Sequence, residues 1–116
     1  MGDIENASGQ KMRAAVHKAQ ILKALAHPVR ICVFEALAQG EMTVGDIVAM
    51  TGCKEANTSR HLAVLRTSGL VRTRKEGLNV YYSNAMPCLL PMLDCISQAV
   101  MAIADEHARI ACCLVP

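Results

Sequence analysis

Apolar residues recur at helical spacing from about Lys11 to Leu25, where Met12, Ala15, Val16, Ala19, Leu22 and Leu25 step along one side. His27-Pro28 ends that run, because the residue before a proline is pushed out of the α region. Pro28 suits the first turn of a second helix reaching about Ala38, with Val33, Phe34 and Leu37 inward and Gly40 as the stop. Thr43 can cap a short third helix from Val44 to Met50, closed by Gly52. A fourth follows over roughly Lys54 to Thr67, with Leu62 and Leu65 inward and Gly69 beyond its end. The period then changes. Leu70 to Arg74 and Asn79 to Ser83 alternate as strands do, and Lys75-Glu76-Gly77-Leu78 supplies the turn between them. A last long helix spans about Leu89 to Ala111, where Leu89, Leu93, Ile96, Val100, Ile103, His107 and Ile110 form a near-heptad seam.

Four helices, a hairpin and a final helix predict a mainly α chain with a β-hairpin wing. Two helices joined by the tight Thr51-Gly52 turn and followed at once by a basic hairpin make a winged helix-turn-helix, here over residues 43–83. The 116 residues have room for a single domain, 1–116, with a flexible tail over 1–9. No uninterrupted apolar run approaches the roughly 18 residues that a membrane span needs. The start, MGDIENASGQ, carries acids and no apolar signal segment. A cytoplasmic protein without a membrane partner is therefore expected.

Composition sharpens this picture in two places. Apolar residues make up 53% of the chain but only three are aromatic, so the core must be aliphatic, with seven methionines filling gaps. The net charge of +2 hides an asymmetry: residues 54–75 carry Lys54, Arg60, Arg66, Arg72, Arg74 and Lys75 against Glu55 alone, and the remainder is acidic. Such a block suits a polyanion, and double-stranded DNA is the expected partner. A recognition helix offers its N-terminal, solvent-facing residues to base edges. Here those are Lys54, Glu55, Asn57, Ser59, Arg60 and His61. Asn reads adenine and Arg reads guanine in bidentate fashion, and Ser positions on phosphate. From the wing, Arg72, Arg74 and Lys75 would track the backbone or the minor groove. Glu55 repels phosphate but can accept from cytosine N4. No Gly-rich phosphate loop and no GxSxG turn is present, so the chain does not read as an enzyme.

The stretches LKALAHPVRICVFEAL, TGCKEANTSRHLAVLRTSGLV and RTRKEGLNVYYS, between residues 22 and 83, resemble the ArsR/SmtB family of bacterial metal- and stress-sensing repressors. The carriers are His27-Pro28-x-Arg30, Ser59-Arg60-His61-Leu62 and Gly77-x-x-x-Tyr81-Tyr82. The resemblance implies a homodimer paired through the helices at 11–25 and 89–111. It further implies a repressor that leaves operator DNA when an inducer binds. Two of the family's inducer sites are missing. The third-helix thiol run falls on Glu41-Met42-Thr43-Val44-Gly45-Asp46-Ile47, without either cysteine. The last-helix zinc set falls on Met86, Cys88, Ala99 and Ala102, three of them non-ligands.

Six cysteines without an export signal point to reduced thiols. Four cluster toward the chain end: Cys88, Cys95, Cys112 and Cys113. Cys88 and Cys95 are seven apart and share a face if the helix starts early enough. Cys112-Cys113 is a vicinal pair expected beyond the helix, resembling the pair that some arsenic-sensing members carry. These four are the candidate metal ligands. Soft thiolates select thiophilic ions, As(III) first by the resemblance, with Cd(II), Zn(II) or Cu(I) as other candidates. The ion is an inducer, and no permanent cofactor is implied. An alternative is redox or reactive-sulfur sensing by Cys32 with Cys88 or Cys95, and a further one is a repressor of this fold without an inducer site. Cys53 falls where an apolar residue plugs the helix-turn-helix, and His17 and His107 read as packing residues of helical seams.

Overall fold

The computed structural model describes the backbone of residues 2–114 and the side chains of residues 7–108. Helices α1 (Gly2–Leu25) and α2 (Pro28–Leu37) precede a two-residue strand, β1 (Met42–Thr43). The helix pair α3 (Val44–Thr51) and α4 (Glu55–Thr67) follows, then the hairpin β2 (Val71–Glu76) and β3 (Asn79–Asn84). A 3-10 turn at Pro87–Leu89 leads into α5 (Leu90–Leu114). The mainly helical winged helix-turn-helix expected from the pattern is the fold found.

Several boundaries differ from expectation for local reasons. Residues 2–9, expected as a flexible tail, are helical: no proline removes an N–H before Leu25, and a single interior glycine costs only about 1 kcal/mol. Residues 112 and 113, expected beyond the last helix, lie within α5, which runs on because the next proline is Pro116. The hairpin turn is shorter than the four residues expected. Glu76 pairs with Asn79, leaving Gly77-Leu78 as a two-residue turn with φ +61° at Gly77, the sign such tight turns require. β1 was not expected at all. It pairs antiparallel with β3 through Met42–Tyr82 and Thr43–Tyr81, giving the order β1-β3-β2.

The core forms where α2, α3, α4 and the sheet meet: Val33, Phe34, Leu37, Ile47, Leu62, Leu65, Leu70 and Val71 are all buried. Asn84 ties the sheet to α2, its Nδ2 donating to the Phe34 carbonyl and its Oδ1 accepting the Met86 N–H, both at 2.9 Å. The end of α4 is a Schellman turn. Leu70 N–H donates to Leu65 C=O and Gly69 N–H to Arg66 C=O, with Gly69 at φ +79°. Leu65 and Leu70, the apolar pair that accompanies this motif, are both fully buried. The turn thereby aims the chain from α4 straight into the wing.

The expected stripe on α1 enters this core only at Leu25, joined there by Ala24; Met12, Val16 and Leu22 are exposed. The chain forms two compact units, Met1–Met86 and Pro87–Pro116. In the second, Ile96, Val100 and Ile103 are exposed. Their spacing puts them on one side of α5, opposite Asp94, Gln98 and Asp105. By length and composition alone, Pro87–Ala108 is long and apolar enough to cross a membrane, with mean hydropathy 1.5. The sequence expectation differed because it counted unbroken apolar runs, which these polar residues interrupt while the average over the helix stays high.

Candidate nucleic-acid interface

Short-range bonds hold the helix-turn-helix. Thr43 and Asp46 form a reciprocal capping box at the start of α3: Thr43 Oγ1 accepts the Asp46 N–H at 3.2 Å, and Asp46 Oδ2 accepts the Thr43 N–H at 3.1 Å. At the other end Gly52 turns the chain with φ +71°. Thr51 Oγ1 donates to the Ile47 carbonyl at 2.9 Å and accepts the Cys53 N–H at 3.3 Å. Cys53 itself is half-buried beside this turn.

Helix α4 begins at Lys54, whose backbone is extended and whose side chain forms no cap bond. Thr58, Leu62 and Leu65 lock one face of α4 into the core. Thr58 is fully buried, and its Oγ1 donates to the Lys54 carbonyl at 3.1 Å. Lys54, Glu55, Asn57, Ser59 and Arg60 are exposed, with Arg60 opposite this face and Asn57 and Ser59 on its flanks. Five of the six residues expected to read DNA are thus available to solvent. Glu55 also has a local role, since a carboxylate in a first helical turn complements the positive end of the helix dipole.

His61 departs from the expectation. It is half-buried, and its ring lies 4.3 Å, centroid to centroid, from that of His27. Its place on the helix explains this. His61 is adjacent to buried Leu62 and three residues after buried Thr58, so it falls on the flank turned toward the start of α2. Burial, with His27 and Arg30 nearby, pushes its pKa below the ordinary histidine value.

Arg74 departs too. Its guanidinium meets Glu41 with Nε at 3.2 Å and Nη2 at 2.7 Å, also bonds Glu76, and lies over the Tyr81 ring at 4.7 Å. The register makes this possible, since Arg74 is paired with Tyr81 across the hairpin and Tyr81 with Thr43 beyond it. The hydrogen bond from Arg74 holds the Glu41 carboxyl below its usual range, and the same acids raise the arginine's pKa. Arg74 therefore braces the three-stranded sheet from its surface, with its side chain still about 49% exposed. Arg72 and Lys75 are exposed and form no ion pair among the described residues.

Two residues not counted among the expected DNA contacts join this surface. Arg66 and Tyr82 line an open groove of about 430 Å³ between α4 and the sheet, together with Ser59, Leu62, Ala63 and Thr67. Arg66 lies seven residues beyond Ser59, two helical turns along the same side, which is the signal that could have found it. Tyr82 alternates onto the sheet face that also carries Thr73 and Lys75.

The thiols are free where described. Cys32, Cys88 and Cys95 are exposed. Cys88 lies in the 3-10 turn ahead of α5, so its seven-residue spacing to Cys95 does not run along one continuous α-helix. The side chains of Cys112 and Cys113 lie outside the described residues. Among the described residues no three His, Cys, Asp or Glu side chains are grouped as metal ligands.

Residues 27–73, the span of this interface up to the middle of β2, match the model of bacterial regulatory proteins of the arsR family. Over 94 residues the chain is 36% identical to the uncharacterized HTH-type transcriptional regulator Rv0081 of Mycobacterium tuberculosis, covering 80% of this chain and 82% of that protein. The crystal structure of the transcriptional repressor BigR from Xylella fastidiosa superposes with a TM-score of 0.68 at 28% identity, over 79% of this chain and 94% of that one. The homodimeric winged helix-turn-helix DNA-binding domain of Mycobacterium bovis Mb0332, solved in solution, gives a TM-score of 0.67 at 33% identity, over 85% and 88% of the two chains. These proteins are regulators and not enzymes. With the reading helix, its capped turn and its clamped wing all in place, the chain belongs to the arsR family of bacterial regulatory proteins.

Proposed function

We propose that the protein is a homodimeric, cytoplasmic transcriptional repressor that binds duplex operator DNA. The observation that carries this is α4, whose one face is fixed by Thr58, Leu62 and Leu65 while Asn57, Ser59 and Arg60 stand free at its N-terminal half. Lys54, Arg66, Arg72 and Lys75 flank them as exposed cations without ion-pair partners among the described residues. The homodimer of Mb0332 supports pairing here, because Met12, Val16 and Leu22 on α1 and Ile96, Val100 and Ile103 on α5 leave apolar surface in water. With about three to five phosphate contacts per subunit, log K should fall against log salt with a slope of roughly −5 to −9. A slope near zero would remove DNA binding from the account. The operator should be an imperfect palindrome with half-sites about one helical turn, or a small multiple of it, apart.

The inducer in this reading is a thiophilic ion, As(III) first and Cd(II), Zn(II) or Cu(I) after it, taken by thiolates among Cys88, Cys95, Cys112 and Cys113. Exposed thiols at Cys88 and Cys95 support it. Replacing both Cys112 and Cys113 by Ser should abolish release from DNA under arsenite or cadmium in reducing buffer, and unchanged release would remove this site. A second reading has its own support. Cys32 is exposed and lines a groove of about 350 Å³ with Pro28, Val29, Met50 and Thr51, where an oxidant can reach it. Release by peroxide or persulfide alone, with Cys32 required, would favour that redox reading.

A further inference from the structure

The recognition helix meets the start of α2 through two imidazoles. His27 is the N-cap of α2, with an extended backbone, and its Nδ1 accepts the Val29 N–H at 3.1 Å. A nitrogen that accepts this bond carries no proton. Against it, tilted by 44°, lies the ring of His61 from α4. The charged neighbours that act on His61 are His27 and Arg30, both cations when charged, and the Arg30 Nε is buried without a partner. From α1, Lys23 lines the adjoining groove with Arg30, Val64 and Ser68. The one acid of α3, Asp46, is bonded to Thr43, and on β2 Glu76 is bonded to Arg74. Among the described residues no carboxylate lies within ion-pair distance of either imidazole.

We propose that the contact of His61 with His27 forms a latch that holds the recognition helix in place only while the His61 ring is neutral, so that DNA binding weakens as the medium acidifies. The latch rests on the reading of α4 as the DNA-reading helix, and it makes His61 a positioning residue rather than a base or phosphate contact. A proton on His61 would place a further cation beside Arg30 in a half-buried setting. The direction of the pH effect follows by linkage. The docked state holds the His61 pKa below the ordinary value, so the undocked helix takes up the proton first. The contribution of a neutral His61 to docking is fully present above the ordinary histidine pKa and is lost as pH falls from there toward the lowered value. A histidine touching phosphate would behave the opposite way, because its added charge tightens DNA binding in acid.

The test uses the full chain and a duplex that it selects from a random-sequence pool at about pH 7.5. Affinity is compared at about pH 7.5 and 5.5, a window in which histidine charge changes. The proteins are wild type and the double variant His27→Asn with His61→Phe. Asn keeps a capping oxygen, Phe keeps a ring, and neither takes a proton. Wild type should weaken several-fold in acid, whereas the double variant, compared with its own affinity at about pH 7.5, should show no such weakening. Wild-type affinity that is flat or tighter in acid overturns the latch, as does a double variant that weakens equally. NMR titration of the wild-type ring protons is independent of DNA. His61 should titrate below about 6.5, and a midpoint at or above that value also overturns the latch. If no duplex is selected, the DNA-binding reading fails, while the ring titration still decides whether the latch exists.

Discussion

Arg74 is the wing cation most committed to its own protein, and releasing it should change how the protein binds DNA. Glu41, Glu76 and Arg74 together carry −1 in each subunit, with Arg74 bonded to both acids and stacked over Tyr81. Glu41→Gln with Glu76→Gln turns this cluster to +1. A freed Arg74 that gains one phosphate per subunit adds two contacts to a dimer. Each contact contributes about 0.9 to the magnitude of the salt slope, so the slope should steepen by about 2. Fluorescence anisotropy on a labelled duplex, measured across a salt series, reads this directly. In the wild-type background Arg74→Ala should leave the slope where it was, because the arginine is already neutralised. The clamp also has a pH signature. Its bond to Arg74 lowers the Glu41 pKa, so the clamp is fully present above the usual carboxylate pKa and is lost only as pH falls through the lowered value. An unchanged slope in the double glutamine variant, or a flatter one in Arg74→Ala alone, would refute the clamp and return Arg74 to the DNA surface.

Three further outcomes are expected. Arg60→Ala should weaken a selected site by about 1–3 kcal/mol more than random duplex if it reads a base, whereas Arg66→Ala should weaken both alike and flatten the dimer's salt slope by about 2; competition assays separate the two. Phe34→Ala, at a position with no exposure, should cost about 3–5 kcal/mol in denaturant unfolding. Thr43→Ala breaks half of the capping box at α3 and should cost about 1 kcal/mol, seen as a lower melting temperature.

Local punctuation was legible in the residues themselves. The Thr43 cap, the Gly52 stop and the helix end at Gly69 each act within four or five residues, a range over which side-chain and backbone chemistry decides conformation without help. The order of helices and hairpin, and the buried stripes of α2 and α4, followed from periodicity for the same reason. What the pattern could not settle were relations between distant residues. β1 is two residues long, too short for any period, and exists only because β3 offers it a partner. The clamp joins Arg74 to Glu41, 33 positions away, so a residue that counts as an unpaired positive charge along the chain is an ion-paired one in the fold. His61 looked like part of the reading face because it follows Ser59 and Arg60. Its rotation about the helix axis turns it instead toward His27, at the start of another element. The Cys88–Cys95 spacing suggested a shared face until the 3-10 turn broke the α register before Leu90. A sequence states which charges and thiols the chain carries, whereas only tertiary packing decides which of them remain free, because pairing depends on what lies across space and not on what lies next along the chain.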